Sequence, residues 1–113
     1  MPLFKEVGER FGPFDATLIK IGAYGDTWPD IHITPEEAVE VHRMVKGHLL
    51  MPVHWGTFSL SYHSWTEPVE RLIVASKDLG VKVAIPRPGQ SVEPEQSPLV
   101  ERWWPDIEWK RIQ

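Results

Sequence analysis

The first hydrophobic residues of the chain recur at the spacing of an α-helix. Leu3, Phe4, Val7 and Phe11 fall on one face of a helical turn pattern. Gly12-Pro13 follows directly and is a strong stop signal. The pattern therefore predicts a short amphipathic helix from Leu3 to Phe11, with no strand before it.

Three later segments are short apolar runs bounded by turn residues. They span Ala16 to Gly22, His48 to Val53 and Val81 to Ile85. Runs of this length and composition are typical of strands that are buried within an α/β sheet. We therefore predict three short strands, the first of them followed by a loop over 23–33 that is rich in Gly, Asp, Trp and Pro.

A capped helix is predicted between the first two strands. The Thr34 hydroxyl can accept a bond from the amide of Glu37, whose carboxylate can reach back, and Pro35 occupies a first-turn position that needs no donor. We expect this helix to run to about Lys46 and to end at Gly47. The side chains predicted to face the core are Ala38, Val41, Met44 and Val45.

A third helix is predicted between the second and third strands. Thr66-Glu67-Pro68 opens it and Gly80 closes it. Its predicted core face consists of Val69, Leu72, Ile73 and Ser76. The alternation of helices and strands indicates one α/β domain over 1–113, in which helices cover a sheet. The segment 86–113 is rich in Pro and Trp, and we expect it to lie over the surface, anchored by Trp103, Trp104 and Trp109.

Composition narrows the function classes. The 113 residues carry a formal charge of -4 and no cysteine. The charge disfavours nucleic-acid and anionic-membrane partners, and the lack of cysteine excludes thiolate metal sites. The chain shows no signal-peptide core and no apolar run near the length of a membrane span. We therefore expect a cytoplasmic protein.

His54 is the best candidate for chemistry among the five histidines. It follows the second predicted strand and precedes a Trp and a Gly, so it could act as a metal ligand at the sheet's edge. Taken without any resemblance, a hydrogen-bonded structural role is the more common reading of a lone His. The histidines form no metal-binding motif.

The other histidines are weaker candidates. His32 lies in the loop before the capped helix, where an imidazole could contact an oxyanion or a leaving group. His42 is predicted to be solvated or to cap its helix, and His48 and His63 receive no role. Asp26 and Asp30 share a loop with His32 and could form an acid/base pair, but a solvated loop is the favoured reading.

Four segments in order resemble a known family. They are Gly12-Pro13-Phe14-Asp15, Ile21-Gly22-Ala23-Tyr24, Thr34-Pro35-Glu36-Glu37-Ala38-Val39 and His54-Trp55-Gly56-Thr57-Phe58. Together they look like the C-terminal half of the N-acyl-phosphatidylethanolamine phospholipase D-like branch of the metallo-β-lactamase superfamily. The resemblance implies that His54 is the last zinc ligand and that His32 is a substrate-side residue important for activity. It implies the C-terminal half of an αββα sandwich as the fold.

The chain also departs from that family. The family's His-x-His-x-Asp-His motif, a further His and a Gly-Asp-Thr-Gly segment lie upstream of the matching region and are absent. Gly25-Asp26-Thr27-Trp28 stands where Glu-Pro-Arg-Trp is usual, so Asp26 does not inherit the bridging role. The family's complete fold holds two zinc ions, which this chain is not expected to hold alone.

Two functions follow as hypotheses. The first is the C-terminal part of a zinc-dependent hydrolase, phosphodiesterase or phospholipase D-like or lactonase-like, that is inactive alone. The second is a non-catalytic α/β module that acts through protein association. The first leaves a sheet face or edge to be covered by a missing N-terminal half or by self-association, with a homodimer as the favoured form. In the second, the aromatic tail covers the exposed face.

Overall fold

The computed structural model describes residues 2–22, 33–56, 64–95 and 100–106. Helices and strands alternate along the chain, as the sequence predicts, and no described helix is long and apolar enough to cross a membrane. His32, His63 and Trp109 lie outside the described residues, as do Asp26 and Asp30. The elements are α1 (Pro2–Phe11), β1 (Phe14–Lys20), α2 (Pro35–Met44), β2 (Gly47–Val53), α3 (Glu67–Asp78) and β3 (Lys82–Val83).

The start of α2 confirms the predicted capping box. The Glu37 amide donates to Thr34 Oγ1 at 3.2 Å, and the Thr34 amide donates to Glu37 Oε1 at 3.1 Å. The helix ends at Met44, slightly earlier than predicted, because Lys46 adopts a left-handed backbone with φ 59° and turns the chain into β2. Gly47 is then the first residue of β2, where an added Cβ would lie 2.5 Å from His42 Nδ1.

The three strands form a parallel sheet in the order β1-β2-β3. β2 is central, with Thr17 opposite Leu50 on one side and Val83 opposite Leu50 on the other. Neighbouring residues of a strand face opposite sides of the sheet, so these three side chains share one face. Helices α2 and α3 lie against that face and pack against each other.

The core fills the space between the sheet and these two helices. Leu50, Val39 and Leu72 are fully buried there, contributed by β2, α2 and α3 in turn. Burial of each such side chain contributes about 1.5–3 kcal/mol to the free energy of unfolding. The full cluster of buried residues is Ile21, Ala38, Val39, Leu50, Val69, Leu72, Val83, Ile85 and Trp104.

The opposite face of the sheet is partly open. The prediction that β1 is a buried strand is wrong, because each of its residues is either half-buried or exposed and Leu18 is 64% exposed. Leu18 pairs in register with Met51 on β2, and Val53 on the same face is 36% exposed. Leu49 on this face is nonetheless fully buried. In the described part of the chain, β1 is an edge strand, and this face of the sheet is open around Leu18.

His42 does not have the predicted solvated or capping role. Its side chain is 2% exposed, and its Nδ1 shares a hydrogen bond of 2.6 Å with Thr17 Oγ1. Burial, together with the nearby His48, lowers the pKa of His42. His42 follows Ala38 by one helical turn, so it lies on the core face of α2. Met44, which was predicted to face the core, is only half-buried.

Candidate functional site

His54 lies where the central strand ends. β2 finishes at Val53, and His54 follows with an exposed side chain and a left-handed backbone, φ 61°. In α/β sheets, residues beyond the carboxyl ends of parallel strands are the usual positions for ligand binding and chemistry. The structure therefore places the imidazole at the edge of the sheet that the sequence predicts, in a turn that few residues other than Gly adopt.

The end of β1 lies directly against this turn. The Ile21 amide donates to the Val53 carbonyl at 3.0 Å, which extends the pairing past the last strand residue. A Cβ added to Gly22 would be 2.0 Å from the His54 carbonyl oxygen. Only Gly permits this close approach, so the predicted loop over 23–33 follows a residue that lies beside His54. His32, the predicted substrate-side residue, belongs to that loop but lies outside the described residues.

Three indole rings, Trp55, Trp103 and Trp104, form a cluster beside the His54 turn, here called the tryptophan cluster. The Trp55 centroid lies 5.4 Å from that of Trp103 and 5.4 Å from that of Trp104. Trp103 and Trp104 are 5.6 Å apart with an interplanar angle of 82°. Edge-to-face and tilted pairs at these distances are the favoured aromatic geometries.

The segment 100–106 is fixed to the α3 and β3 side of the domain. The Trp103 indole N–H donates to the Ile85 carbonyl at 3.0 Å, and that of Trp104 donates to Glu70 Oε1 at 2.9 Å. Arg102 Nε also donates to Glu70 Oε1, at 2.9 Å. Trp104 is only 6% exposed, so this part of the predicted surface segment enters the core.

Glu70 is the polar centre of this attachment. Burial by itself raises the pKa of its carboxyl, but hydrogen bonds from Arg102 and Trp104 and the charge of Arg102 outweigh burial and hold that pKa below its ordinary value. Glu70 therefore stays ionised as an acceptor for both donors. This role of Glu70 could not be predicted from the sequence, because no local pattern connects a residue of α3 with a segment that follows it by some thirty positions.

The described residues do not form a complete metal site. No group of three or more His, Cys, Asp or Glu in the described ranges could hold a metal ion. His54 offers one imidazole donor of the kind that zinc accepts, and a hydrolytic zinc site needs about three protein ligands. The role of His54 as a zinc ligand thus stays a prediction. A zinc site that includes His54 would need further ligands from outside the described residues.

Comparisons with known proteins agree with this architecture. The family described as "Beta-lactamase superfamily domain" matches residues 1–55. An uncharacterized protein of Mycobacterium tuberculosis (strain ATCC 25618 / H37Rv) is 51% identical over 104 residues, covering 89% of this chain and 28% of its own length. The N-acyl-phosphatidylethanolamine-hydrolyzing phospholipase D 1 of Caenorhabditis elegans is 43% identical over 72 residues, covering 61% of this chain and 20% of its own length.

A solved structure shows the same fold. Igni18, a novel metallo hydrolase from the hyperthermophilic archaeon Ignicoccus hospitalis KIN4/I, superimposes with a TM-score of 0.60 at 20% identity. The match covers 81% of this chain and 35% of Igni18. This chain thus spans about a third or less of the length of each of these three proteins.

The fold and the matches define the class of the protein: it has the metallo-β-lactamase fold, which is a fold of metal-dependent hydrolases. Within that superfamily, the sequence matches support the N-acyl-phosphatidylethanolamine phospholipase D-like branch. The predicted family and the predicted α/β fold class are both confirmed.

Proposed function

We propose that this chain supplies part of the site of a zinc-dependent hydrolase, with a phosphodiester, lactone or related substrate. In this proposal His54 is one zinc ligand and His32 is a group on the substrate side. The observation that carries it is the position of His54, exposed on a turn at the carboxyl edge of a parallel sheet in this family's fold. A phosphodiester substrate is supported by the name of the nematode relative, a phospholipase D.

The proposal includes inactivity of the chain when it is alone. His54 alone cannot supply the three or so protein ligands that a catalytic zinc site needs, and the described residues form no such group. The remaining donors would come from a segment corresponding to the rest of the relatives, of which this chain spans 28% in the mycobacterial case. Such a segment is also the partner that would cover the open sheet face around Leu18. A cytoplasmic location stays a prediction.

A chimera tests the ligand role of His54 directly. In the mycobacterial relative, the matching part would be replaced by this chain, since 51% identity over 104 residues makes the exchange conservative. Zinc per chain is measured by elemental analysis, and hydrolysis is measured with an N-acyl-phosphatidylethanolamine. His54→Ala should lose zinc and lower hydrolysis by more than the about 10–100-fold that loss of an outer-shell partner costs.

The matched control is His48→Ala. His48 is exposed on β2, at the opposite end of the strand from His54, so its removal should leave zinc and hydrolysis unchanged. Retention of all zinc in the His54→Ala chimera would refute the ligand role. Zinc-dependent hydrolysis by the unmodified 113-residue chain, abolished by His54→Ala, would refute its inactivity when alone.

A second candidate function is protein association without catalysis. The open apolar face of the sheet favours it, because exposed Leu18 and Val53 side chains in one patch are typical of an interface. The chimera separates the two candidates. A zinc-free, inactive chimera with a native fold supports the association module, and a zinc-containing active one supports the hydrolase.

A further inference from the structure

The segment 100–106 meets the candidate site through the tryptophan cluster. Trp55 is the residue directly after His54, and its ring contacts Trp103 and Trp104 at equal centroid distances of 5.4 Å. Trp104 is buried in the core and Trp103 packs against the core. The position of Trp55 is therefore set by residues from the far end of the chain.

Both partner rings have fixed orientations of their own. The Trp103 N–H donates to the Ile85 carbonyl, and Ile85 is 4% exposed. The Trp104 N–H donates to Glu70, which Arg102 also binds. A ring that packs in the core and also donates a hydrogen bond has little freedom to rotate. The cluster is thus a rigid support for Trp55.

His54 is held between this support and the end of β1. Its φ of 61° lies in the left-handed region, which a residue with a side chain keeps only when its surroundings impose it. On one side Gly22 packs against the His54 carbonyl with no room for a Cβ. On the other side the chain continues directly into Trp55. Both constraints act on the backbone that orients the imidazole.

We infer that Trp103 and Trp104 are positioning residues for His54, acting through Trp55, with Glu70 and the Ile85 carbonyl as their anchors. The inference rests on the proposed role of His54 in the site. In the competing view the cluster adds only to core stability. That view predicts lower stability for cluster variants and an unchanged backbone at His54.

The test is nuclear magnetic resonance of the labelled, metal-free 113-residue chain. A residue with positive φ gives a strong nuclear Overhauser effect between its own amide and α protons, and this signal reports the His54 turn. In Trp103→Leu we expect it to weaken about two-fold or more, because φ then samples negative values. The signals of Val7 and Val41, on α1 and α2, should keep their positions and show that the fold is retained.

The matched control is Glu101→Gln. It lies in the same segment and removes only an exposed ion pair, Arg87 to Glu101 at 3.7 Å, so the His54 signal should not change. Trp103→Phe keeps an aromatic ring but lacks the N–H that binds Ile85, and it should weaken the signal less than Trp103→Leu. If Trp103→Leu does not fold, the His54 signal of Trp103→Phe tests the positioning role instead.

An unchanged His54 signal in the folded variant, with a lower melting temperature, would overturn the positioning role. Because no metal is present, this result is independent of zinc binding. Zinc retained by the His54→Ala chimera would refute the proposed function, but it would not change the result measured for the His54 backbone. A weakened His54 signal confined to the tryptophan variants would establish the positioning role.

Discussion

Thr17 and His42 join the sheet to its covering helix through a single short hydrogen bond. Thr17 Oγ1 on β1 and His42 Nδ1 on α2 are 2.6 Å apart, and the imidazole is almost fully buried. Gly47 contributes to the same contact, because a Cβ there would lie 2.5 Å from Nδ1 and 2.6 Å from the Thr17 methyl group. The start of β2 at Gly47 thus packs closely against this buried pair of polar side chains.

Removal of the Thr17 hydroxyl should destabilise the protein. Thr17→Val keeps the shape of the side chain and leaves the buried His42 Nδ1 without this partner, so we expect a loss of about 1–3 kcal/mol in the free energy of unfolding. Thr17→Ser keeps the hydroxyl and should cost less than Thr17→Val. Urea denaturation of the three proteins at pH 7.5 measures both differences. A loss for Thr17→Ser with none for Thr17→Val would show that the methyl group matters and the hydrogen bond does not.

The same histidine should make stability depend on pH. Burial and His48 lower the pKa of His42 in the folded protein below the ordinary value of 6.5, so the folded state binds this proton less readily than the unfolded state. Stability from this group is complete above pH 6.5 and falls as the pH drops from there through the lowered pKa. The slope for one proton is at most about 1.4 kcal/mol per pH unit.

His42→Gln isolates this contribution. The variant cannot titrate, so its free energy of unfolding should fall less steeply between pH 7.5 and 5.5 than that of the parent chain. A slope that survives His42→Gln would assign the pH dependence to other groups.

Local signals in the sequence predicted the elements well. The capping box at Thr34 and Glu37 depends only on residues three positions apart, and apolar runs of strand length mark β1 and β2. The exposure of Leu18 could not be predicted this way, because it depends on which strands pair and on what covers the sheet. The local pattern of residues determines whether a segment forms a helix or a strand, whereas long-range packing determines which of its side chains are buried.

The candidate site likewise combines a position that the local sequence predicts with a contact that it does not predict. The position of His54 at the end of a strand follows from the apolar run before it. The link from Trp104 to Glu70 joins residues 34 positions apart, for which the sequence holds no repeating signal. His42 is an intermediate case. It lies one turn after the buried Ala38 and two residues before the end of α2, so the helical spacing is consistent with burial, although a His is more often solvated.

Gly22 should be intolerant of any side chain. In Gly22→Ala the new Cβ would lie 2.0 Å from the His54 carbonyl oxygen and 3.1 Å from Trp55 Cα, both backbone atoms. One strand end must therefore move, at an expected cost of about 1–3 kcal/mol. Chemical denaturation measures the cost, and the amide signals of His54 and Trp55 should shift.

Gly80→Ala is the matched control for Gly22→Ala. Gly80 has a positive φ of 68° and nothing within 4 Å of an added Cβ, so its replacement should cost about 1 kcal/mol through backbone strain alone. The signals of His54 should stay in place. A Gly22→Ala chain as stable as the parent, with unmoved His54 signals, would contradict the close approach of the two strand ends.

The open sheet face should make the isolated chain associate. Leu18 is 64% exposed and lies on the face that also carries Met51 and Val53, so two copies can each remove apolar area from water by packing these faces together. Leu18→Lys places a charge at the centre of that patch. We expect it to shift the mass measured by light scattering toward the monomer. Stability should change by no more than about 0.5 kcal/mol, because the side chain is on the surface.

Val74→Lys tests whether the effect belongs to the sheet face. Val74 is 57% exposed on α3, away from that face, so the same change of charge should leave the mass unchanged. A parent chain that is monomeric at every concentration would refute association through the sheet. Equal dissociation by both variants would point to net charge as the cause, since each adds one positive charge to a chain of formal charge -4.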